Sequence, residues 1–129
     1  MIIVYILLGI FALFMIIQIM TVMKIKGQKG KPAPALMGKM GKIIESGEKS
    51  LFYFYAPRCN ACAKMTPWMK QFEKDKENVF VIDLSSDLNT ARSFGVLATP
   101  TTIIIKDKII QDVLLGPYTE STIAEILEK

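Results

Sequence analysis

The chain contains only two cysteines, Cys59 and Cys62, which lie three residues apart. An apolar and aromatic run over residues 51–56 predicts a buried strand just before them, and helical periodicity begins at Asn60. A thiol at the start of a helix faces unpaired backbone N–H groups and the positive end of the helix dipole, which favour the thiolate. Because the thiolate attacks disulfides, this placement indicates thiol–disulfide exchange, with Cys59 as nucleophile and Cys62 as resolving thiol.

Two other interpretations of the cysteine pair remain open on spacing alone. Two cysteines at this distance form half of a structural zinc site, but the chain has no histidine and no second pair. A closed tetrahedral site would therefore require a dimer, and no metal site is predicted within one chain. The two residues are otherwise core cysteines that fall three apart by chance. Arg58 precedes Cys59 and is expected to stabilise its thiolate further.

The pattern along the chain predicts an α/β domain, because helical and strand-like segments alternate. The first predicted elements are a helix over about 36–44 despite Gly38 and Gly41, a strand over 51–56 and a helix over 60–76 kinked at Pro67. A strand over 79–83 follows, and then a short helix that is capped within 85–87 and ends at Gly95. The last elements are two strands over 101–106 and 108–115 and a helix from Thr119. Four methionines fall on apolar helix faces and are predicted to pack in the core: Met37, Met40, Met65 and Met69.

Residues 36–129 resemble the thioredoxin family in several separated features. In that family a hydrophobic strand leads to a Trp-Cys-x-x-Cys-Lys motif, and a helix-kinking proline follows the second cysteine by five residues, as Pro67 follows Cys62. The family also places a cis-proline against the cysteines, preceded by a small or branched residue and followed by threonine. Residues 95–101 read Gly-Val-Leu-Ala-Thr-Pro-Thr, and Gly116 lies sixteen residues beyond Pro100. The resemblance implies a thioredoxin-like fold, with a central mixed sheet flanked by helices.

The resemblance also implies roles for individual residues. It predicts a cis bond between Thr99 and Pro100, which leaves the Thr99 backbone free to pair with an extended substrate segment. Tyr53 and Arg58 depart from the family pattern, because Tyr53 stands where the family has a buried aspartate and Arg58 stands where it has tryptophan. In the family the aspartate is thought to move the proton of the second cysteine, and either water or Tyr53 would take that role here. We therefore assign Tyr53 and Arg58 as modulating residues.

The first 23 residues contain no charged side chain. Twenty-two residues of helix cover roughly 33 Å, enough for a hydrocarbon core of about 30 Å. A cleaved signal peptide would have a basic start, a shorter apolar stretch and small residues at the cut site, so a retained anchor is favoured. The predicted organisation is a transmembrane anchor over 1–23, a basic, proline-containing linker over 24–35 and a thioredoxin-like domain over 36–129.

The net charge of +4 resides in four lysines that follow the predicted anchor, Lys24, Lys26, Lys29 and Lys31. Residues 36–129 carry twelve basic and twelve acidic side chains and are neutral. A neutral domain has no electrostatic footprint for nucleic acid, so no nucleic acid partner is expected. The lysines are either a topogenic signal or a patch for anionic lipid. Their position favours a cytoplasmic domain on a single-pass cell-membrane protein, with the extracytoplasmic face as the alternative.

Two classes of function follow from these observations. The first is a membrane-tethered thiol–disulfide oxidoreductase without a cofactor, which exchanges dithiol and disulfide with protein clients and with an unidentified redox partner. The second is a non-catalytic membrane adaptor with a thioredoxin-like fold, or a dimer that binds a metal through paired cysteines. The Asn60-Ala61 dipeptide differs from the Gly-Pro of the family, in which this dipeptide tunes the reduction potential.

Overall fold

The computed structural model describes all residues from 1 to 129 and confirms the predicted α/β architecture. Six helices and four strands form the chain. The elements are α1 (Ile2–Lys26), α2 (Gly38–Glu45), β1 (Ser50–Tyr55), α3 (Asn60–Ala63), α4 (Thr66–Asp75), β2 (Val79–Asp83), α5 (Leu88–Ser93), β3 (Thr101–Lys106), β4 (Ile109–Leu115) and α6 (Glu120–Glu128).

The four strands form one mixed sheet in the order β2-β1-β3-β4. β1 is parallel to β2 and antiparallel to β3, and β3 is antiparallel to β4. As a result, the ends of β1, β2 and β4 and the beginning of β3 lie at the same edge of the sheet. Phe54 pairs with Thr101, and Thr101 pairs with Leu115. We call this edge the cysteine end, because β1 leads from it directly to Cys59.

Alternation of side chains along the strands separates two apolar layers, one on each face of the sheet. One layer packs α2, α5 and the last turn of α1, and includes Phe52, Phe54 and Phe94. The other packs α4 and α6, and includes Tyr53 and Met69. β1 is buried on both faces, as its continuous apolar sequence predicts.

The helix predicted from Asn60 to Lys76 is divided in the structure into α3 and α4. The break falls at Lys64 and Met65, and Pro67 lies in the first turn of α4. The backbone N–H groups in the first turn of a helix have no acceptor within the helix. A proline there, which lacks the N–H, therefore costs the helix no hydrogen bond. Pro67 therefore begins a new helix instead of kinking a continuous one.

One methionine does not pack in the core as predicted. Met65 and Met69 are buried and Met40 packs against the core, but Met37 is 95% exposed. Met37 is the N-cap residue of α2 and has an extended backbone, so its side chain does not follow the apolar face of that helix.

α1 is apolar and long enough to cross a membrane by length and composition, and none of its most apolar stretch is buried. The helix continues to Lys26, three residues beyond the predicted end of the anchor. Ile25 is 2% exposed and belongs to the core layer that contains α2 and α5. The segment after α1 pairs with the edge of β4, where Pro32 forms an antiparallel bridge with Ile109. The lysine-rich segment therefore lies against the domain.

Candidate active site

The two cysteines form a disulfide at the cysteine end, where β1 leads into α3. Their Cα atoms are 5.2 Å apart, within the usual range for a disulfide. Cys59 is the N-cap residue of α3, and its sulfur accepts a hydrogen bond of 3.2 Å from the backbone N–H of Cys62. Cys62 is 1% exposed, whereas Cys59 is partly exposed. An incoming sulfur therefore reaches Cys59 first.

The loop before β3 lies at the same end of the sheet and contains the cis peptide bond between Thr99 and Pro100. The Thr101 hydroxyl donates a hydrogen bond of 2.6 Å to the carbonyl of Ala98, and the Gly116 N–H donates one of 2.9 Å to the carbonyl of Pro100. The N–H and C=O groups of Thr99 form no hydrogen bond within the protein. Hydrogen bonds at Ala98 and Pro100 therefore fix the backbone on both sides of Thr99, while the N–H and C=O of Thr99 itself remain free to pair with another chain.

A cleft of about 420 Å³ opens beside the disulfide. Its lining is mostly apolar, with two polar side chains from α4. The lining residues are Tyr55, Ala56, Pro57, Cys59, Cys62, Ala63, Thr66, Pro67 and Lys70. The Lys70 ammonium lies 5.3 Å from the centre of the Tyr55 ring, which is a cation–π distance.

Tyr53 lies fully buried beneath the cleft and forms a hydroxyl pair with Thr66. The Oη of Tyr53 and the Oγ1 of Thr66 are 2.9 Å apart, and either hydroxyl can be the donor. Burial raises the pKa of Tyr53 above its ordinary value, although the hydrogen bond with Thr66 opposes this effect. Tyr53 is therefore a neutral hydroxyl at physiological pH, unlike an aspartate at the same place.

A carboxylate also lies at the cysteine end, at the end of β2. The side chain of Asp83 accepts hydrogen bonds from the Ser85 hydroxyl (2.6 Å) and the Ser85 N–H (2.8 Å). These hydrogen bonds, together with the charge of Lys70, lower the pKa of Asp83. Asp83 remains ionised and serves the turn that leads into α5.

The structure brings Cys59, Cys62, Thr99 and Pro100 to one end of the sheet, and places Tyr53 below it. Arg58 is exposed beside Cys59 and takes part in none of the three ion pairs of the chain.

The sequence did not point to the two polar residues that α4 contributes to the cleft, Thr66 and Lys70. Their spacing could have identified them. Thr66 follows Cys62 by four residues and Lys70 follows Thr66 by four, and residues spaced in this way lie on one face of a predicted helix.

Comparisons with known proteins agree with this geometry. The family model described as thioredoxin matches residues 40–129. Thioredoxin of Staphylococcus saprophyticus is 32% identical over 89 residues, which are 67% of this chain and 85% of that protein. The chloroplastic thioredoxin M4 of Arabidopsis thaliana is 31% identical over 91 residues, which are 68% of this chain but only 47% of that protein.

Solved structures give the same picture. Thioredoxin of Fasciola hepatica superposes with a TM-score of 0.54 at 25% identity, over 67% of this chain and 86% of that chain. A mutant thioredoxin from Halobacterium salinarum has a TM-score of 0.57 at 22% identity, over 67% of this chain and 78% of that chain, and it supports the fold alone.

Proposed function

Since the chain belongs to the thioredoxin family, we propose that it is a membrane-tethered thiol–disulfide oxidoreductase acting on protein clients. The oxidoreductase activity follows from the family and from the pair of cysteines at disulfide distance. The observation that carries the proposal is the unequal exposure of the two cysteines. A partly exposed Cys59 in front of a buried Cys62 is what a two-step exchange requires.

In the reducing direction, the Cys59 thiolate attacks one sulfur of a client disulfide. The client S–S bond breaks, a Cys59–client disulfide forms, and the released client thiolate takes up a proton. Cys62 loses its proton and attacks the Cys59 sulfur, which releases the second client thiol and leaves the disulfide between Cys59 and Cys62. Two electrons pass to the client, and an external dithiol must return them. The reverse sequence oxidises a client dithiol.

We assign the Thr99 backbone as the binding edge for the client. Its N–H and C=O groups are free, and a client segment in extended conformation would pair with them beside Cys59. The next residue, Pro100, is buried and would hold the Thr99 backbone in position for this pairing. Arg58 adds a positive charge next to the attacking sulfur and would stabilise its thiolate.

Tyr53 and Thr66 are proposed as positioning residues for the second step. Thr66 shares the cleft with Cys62, and Tyr53 holds the Thr66 hydroxyl from below. Because Tyr53 is neutral, the pair would stabilise the Cys62 thiolate by donating a hydrogen bond instead of removing its proton. Tyr53→Phe should therefore slow resolution of the mixed disulfide and change its pH profile, while the first attack by Cys59 keeps its rate.

The membrane tether is proposed from α1, and the side of the membrane from the lysines that follow it. Cationic residues that flank a span favour the cytoplasmic side, so the domain is assigned there. A membrane-impermeant maleimide applied to reduced, sealed spheroplasts would test this assignment, with lysed cells as the control. Labelling of Cys59 only after lysis is expected, whereas labelling of sealed spheroplasts would place the domain outside.

The exchange reaction is tested with single cysteine variants of the full chain in detergent. Cys62→Ser should retain attack but trap a client as a mixed disulfide, visible on a non-reducing gel and lost on reduction. Cys59→Ser should neither trap nor turn over, and the double variant is the matched control for both. If Cys59→Ser and Cys62→Ser kept full activity toward a disulfide-bonded protein, exchange through this pair would be disproved.

The same preparations discriminate the adaptor or metal-binding alternative. The metal-binding dimer predicts stoichiometric zinc in the purified protein, and the adaptor predicts that replacement of the cysteines changes no redox activity. The oxidoreductase predicts loss of turnover in both single variants.

A further inference from the structure

The direction of the chain between α1 and β4 indicates which end of the domain lies closest to the proposed membrane anchor. The N–H of Ala33 donates to the carbonyl of Lys108, at the start of the strand region of β4. Four residues earlier, the Lys29 ammonium lies 3.8 Å from the carboxylate of Asp112, farther along that strand. Followed backward from Ala33, the chain therefore runs along β4 toward the cysteine end.

The last turns of α1 continue in the same direction. Ile25 is buried in the same layer as Val113, and the side chain of Gln28 packs directly against the backbone of Gly95. Gly95 begins the loop that leads to the cis-proline. α1 thus leaves the domain at the cysteine end, next to the loop that carries Thr99.

Leu97, in that loop, faces α1 across a mostly apolar cleft of about 540 Å³. The cleft is lined by Ile17, Met20, Thr21, Lys24 and Leu97. If Lys24 marks the end of the hydrocarbon, Met20 lies about 6 Å and Ile17 about 10 Å inside it. Leu97 is 53% exposed and lies beside these side chains, so it reaches the hydrocarbon boundary. A lipid chain is the natural occupant of an apolar cleft at this depth.

The charges at the cysteine end also suit an anionic lipid surface. The loops that surround the disulfide, residues 56–64, 94–100 and 115–119, contain Arg58 and Lys64 but no acidic side chain. Three acidic residues lie at this end: Asp83 at the end of β2 and Asp87 after it, on the sheet edge farthest from β4, and Glu120 in the first turn of α6. The positive charge next to the point where α1 meets the domain comes from Lys24 and Lys26 in the last turn of the helix, and these lysines suit an anionic lipid surface.

We infer that the domain lies with its cysteine end against the bilayer, with Leu97 in contact with lipid, and that its substrates are disulfides of membrane-embedded proteins close to the membrane surface. The inference deepens the function proposed above and rests on it. Cys59 would face the bilayer surface at short range, so a disulfide near the end of a transmembrane segment reaches it directly. A disulfide on a distant extramembrane domain would have to enter from the side.

The orientation is tested by depth-dependent quenching in vesicles of phosphatidylcholine and phosphatidylglycerol whose acyl chains carry bromine near the headgroup. A single tryptophan is placed in a Trp68→Phe background of the full chain. Leu97→Trp should be quenched strongly. Ile109→Trp is the matched control, since Ile109 is also an exposed apolar residue (41%) but lies at the opposite end of β4, and it should not be quenched.

A third position separates failure of the orientation from failure of the anchor. Phe14→Trp lies ten residues before Lys24, about 15 Å inside the hydrocarbon, and should be quenched by a second set of vesicles whose lipids carry bromine near the ends of the acyl chains whenever the helix is inserted. Quenching at Phe14 but not at Leu97, or equal quenching at Leu97 and Ile109, would overturn the inferred orientation. Absence of quenching at Phe14 would overturn the proposed anchor and the orientation with it.

The substrate class is tested with the unmodified protein in the same vesicles, which needs no tryptophan variant. Two transmembrane peptides each carry one disulfide loop, the first about two residues and the second about twenty residues beyond the span. The near disulfide should be reduced at least about tenfold faster, as expected for a higher effective concentration. Equal rates would refute the substrate class while leaving the activity intact, and reduction of neither peptide would refute the proposed activity.

Discussion

Replacement of the buried tyrosine beneath the active site, Tyr53→Phe, removes one hydroxyl and keeps the ring. Tyr53 is fully buried, and its Oη lies 2.9 Å from the Oγ1 of Thr66. A hydrogen bond of this kind contributes about 1 kcal/mol net, and the Thr66 hydroxyl left behind still borders the open cleft. The free energy of unfolding at pH 7 should therefore fall by about 1 kcal/mol in the variant.

The same substitution has a distinct pH dependence. Burial raises the pKa of Tyr53 in the folded protein above the ordinary value of 10.0. Between that value and the folded pKa, the unfolded chain releases the tyrosine proton while the folded chain retains it. The wild type thus loses part of its stability as the pH rises above about 10, and Tyr53→Phe does not. The gap between the two proteins should narrow as the pH increases.

The measurement is urea unfolding of the full, oxidised chain in detergent micelles at pH 7 and at pH 10.5. Tyr118→Phe, a half-buried tyrosine in the loop before α6, is the control for removal of a tyrosine elsewhere. A gap of about 1 kcal/mol at pH 7 that shrinks at pH 10.5 is expected. An equal or larger gap at pH 10.5 would refute the reasoning, because the folded protein would then not hold Tyr53 in its neutral form.

Two further substitutions test the packing that positions the site. Ile25→Ala truncates a core side chain at the end of α1 and should lower the free energy of unfolding by about 2–5 kcal/mol. The control is Val22→Ala, because Val22 lies about one turn earlier and is exposed, so this variant should show little effect in the same urea titration. Gly41→Ala would place a methyl group onto the backbone carbonyl of Leu36, so α2 must shift, at a cost of about 1–3 kcal/mol. A wild-type unfolding midpoint in Ile25→Ala or Gly41→Ala would contradict the corresponding contact.

The sequence predicted the element order and the centre of the site because those features have local causes. The run over residues 51–56 is apolar enough to indicate a strand buried on both faces, and the cysteines follow it at the start of a helix. Asp87 and Thr119 were recognisable as helix caps, and each accepts a hydrogen bond from the N–H three residues later. Each of these features can be predicted from a few residues that are neighbours in the sequence.

The features that were missed depend on contacts between distant segments. Gly41 weakened the prediction of α2, yet the structure needs a glycine there because the chain at Leu36 passes too close for a side chain. The pairing of Tyr53 with Thr66 joins β1 to α4 on one face of the sheet, and neither residue alone predicts it. The contacts that the lysine-rich segment makes with β4 likewise involve residues far away in sequence.

The burial of Ile25 connects the fold to the proposed function. A flexible tether would let the domain rotate freely and present Cys59 in any direction. Here the last turn of α1 belongs to the hydrophobic core, and the following residues pair with β4, so rotation about the junction would expose apolar surface and break hydrogen bonds. As the proposed anchor, α1 would therefore set the orientation of the domain as well as its location. Under the proposed function, such an enzyme would select its clients partly by where their disulfides lie relative to the membrane. This selection would complement the proposed recognition by the Thr99 backbone, a contact that carries little side-chain specificity of its own.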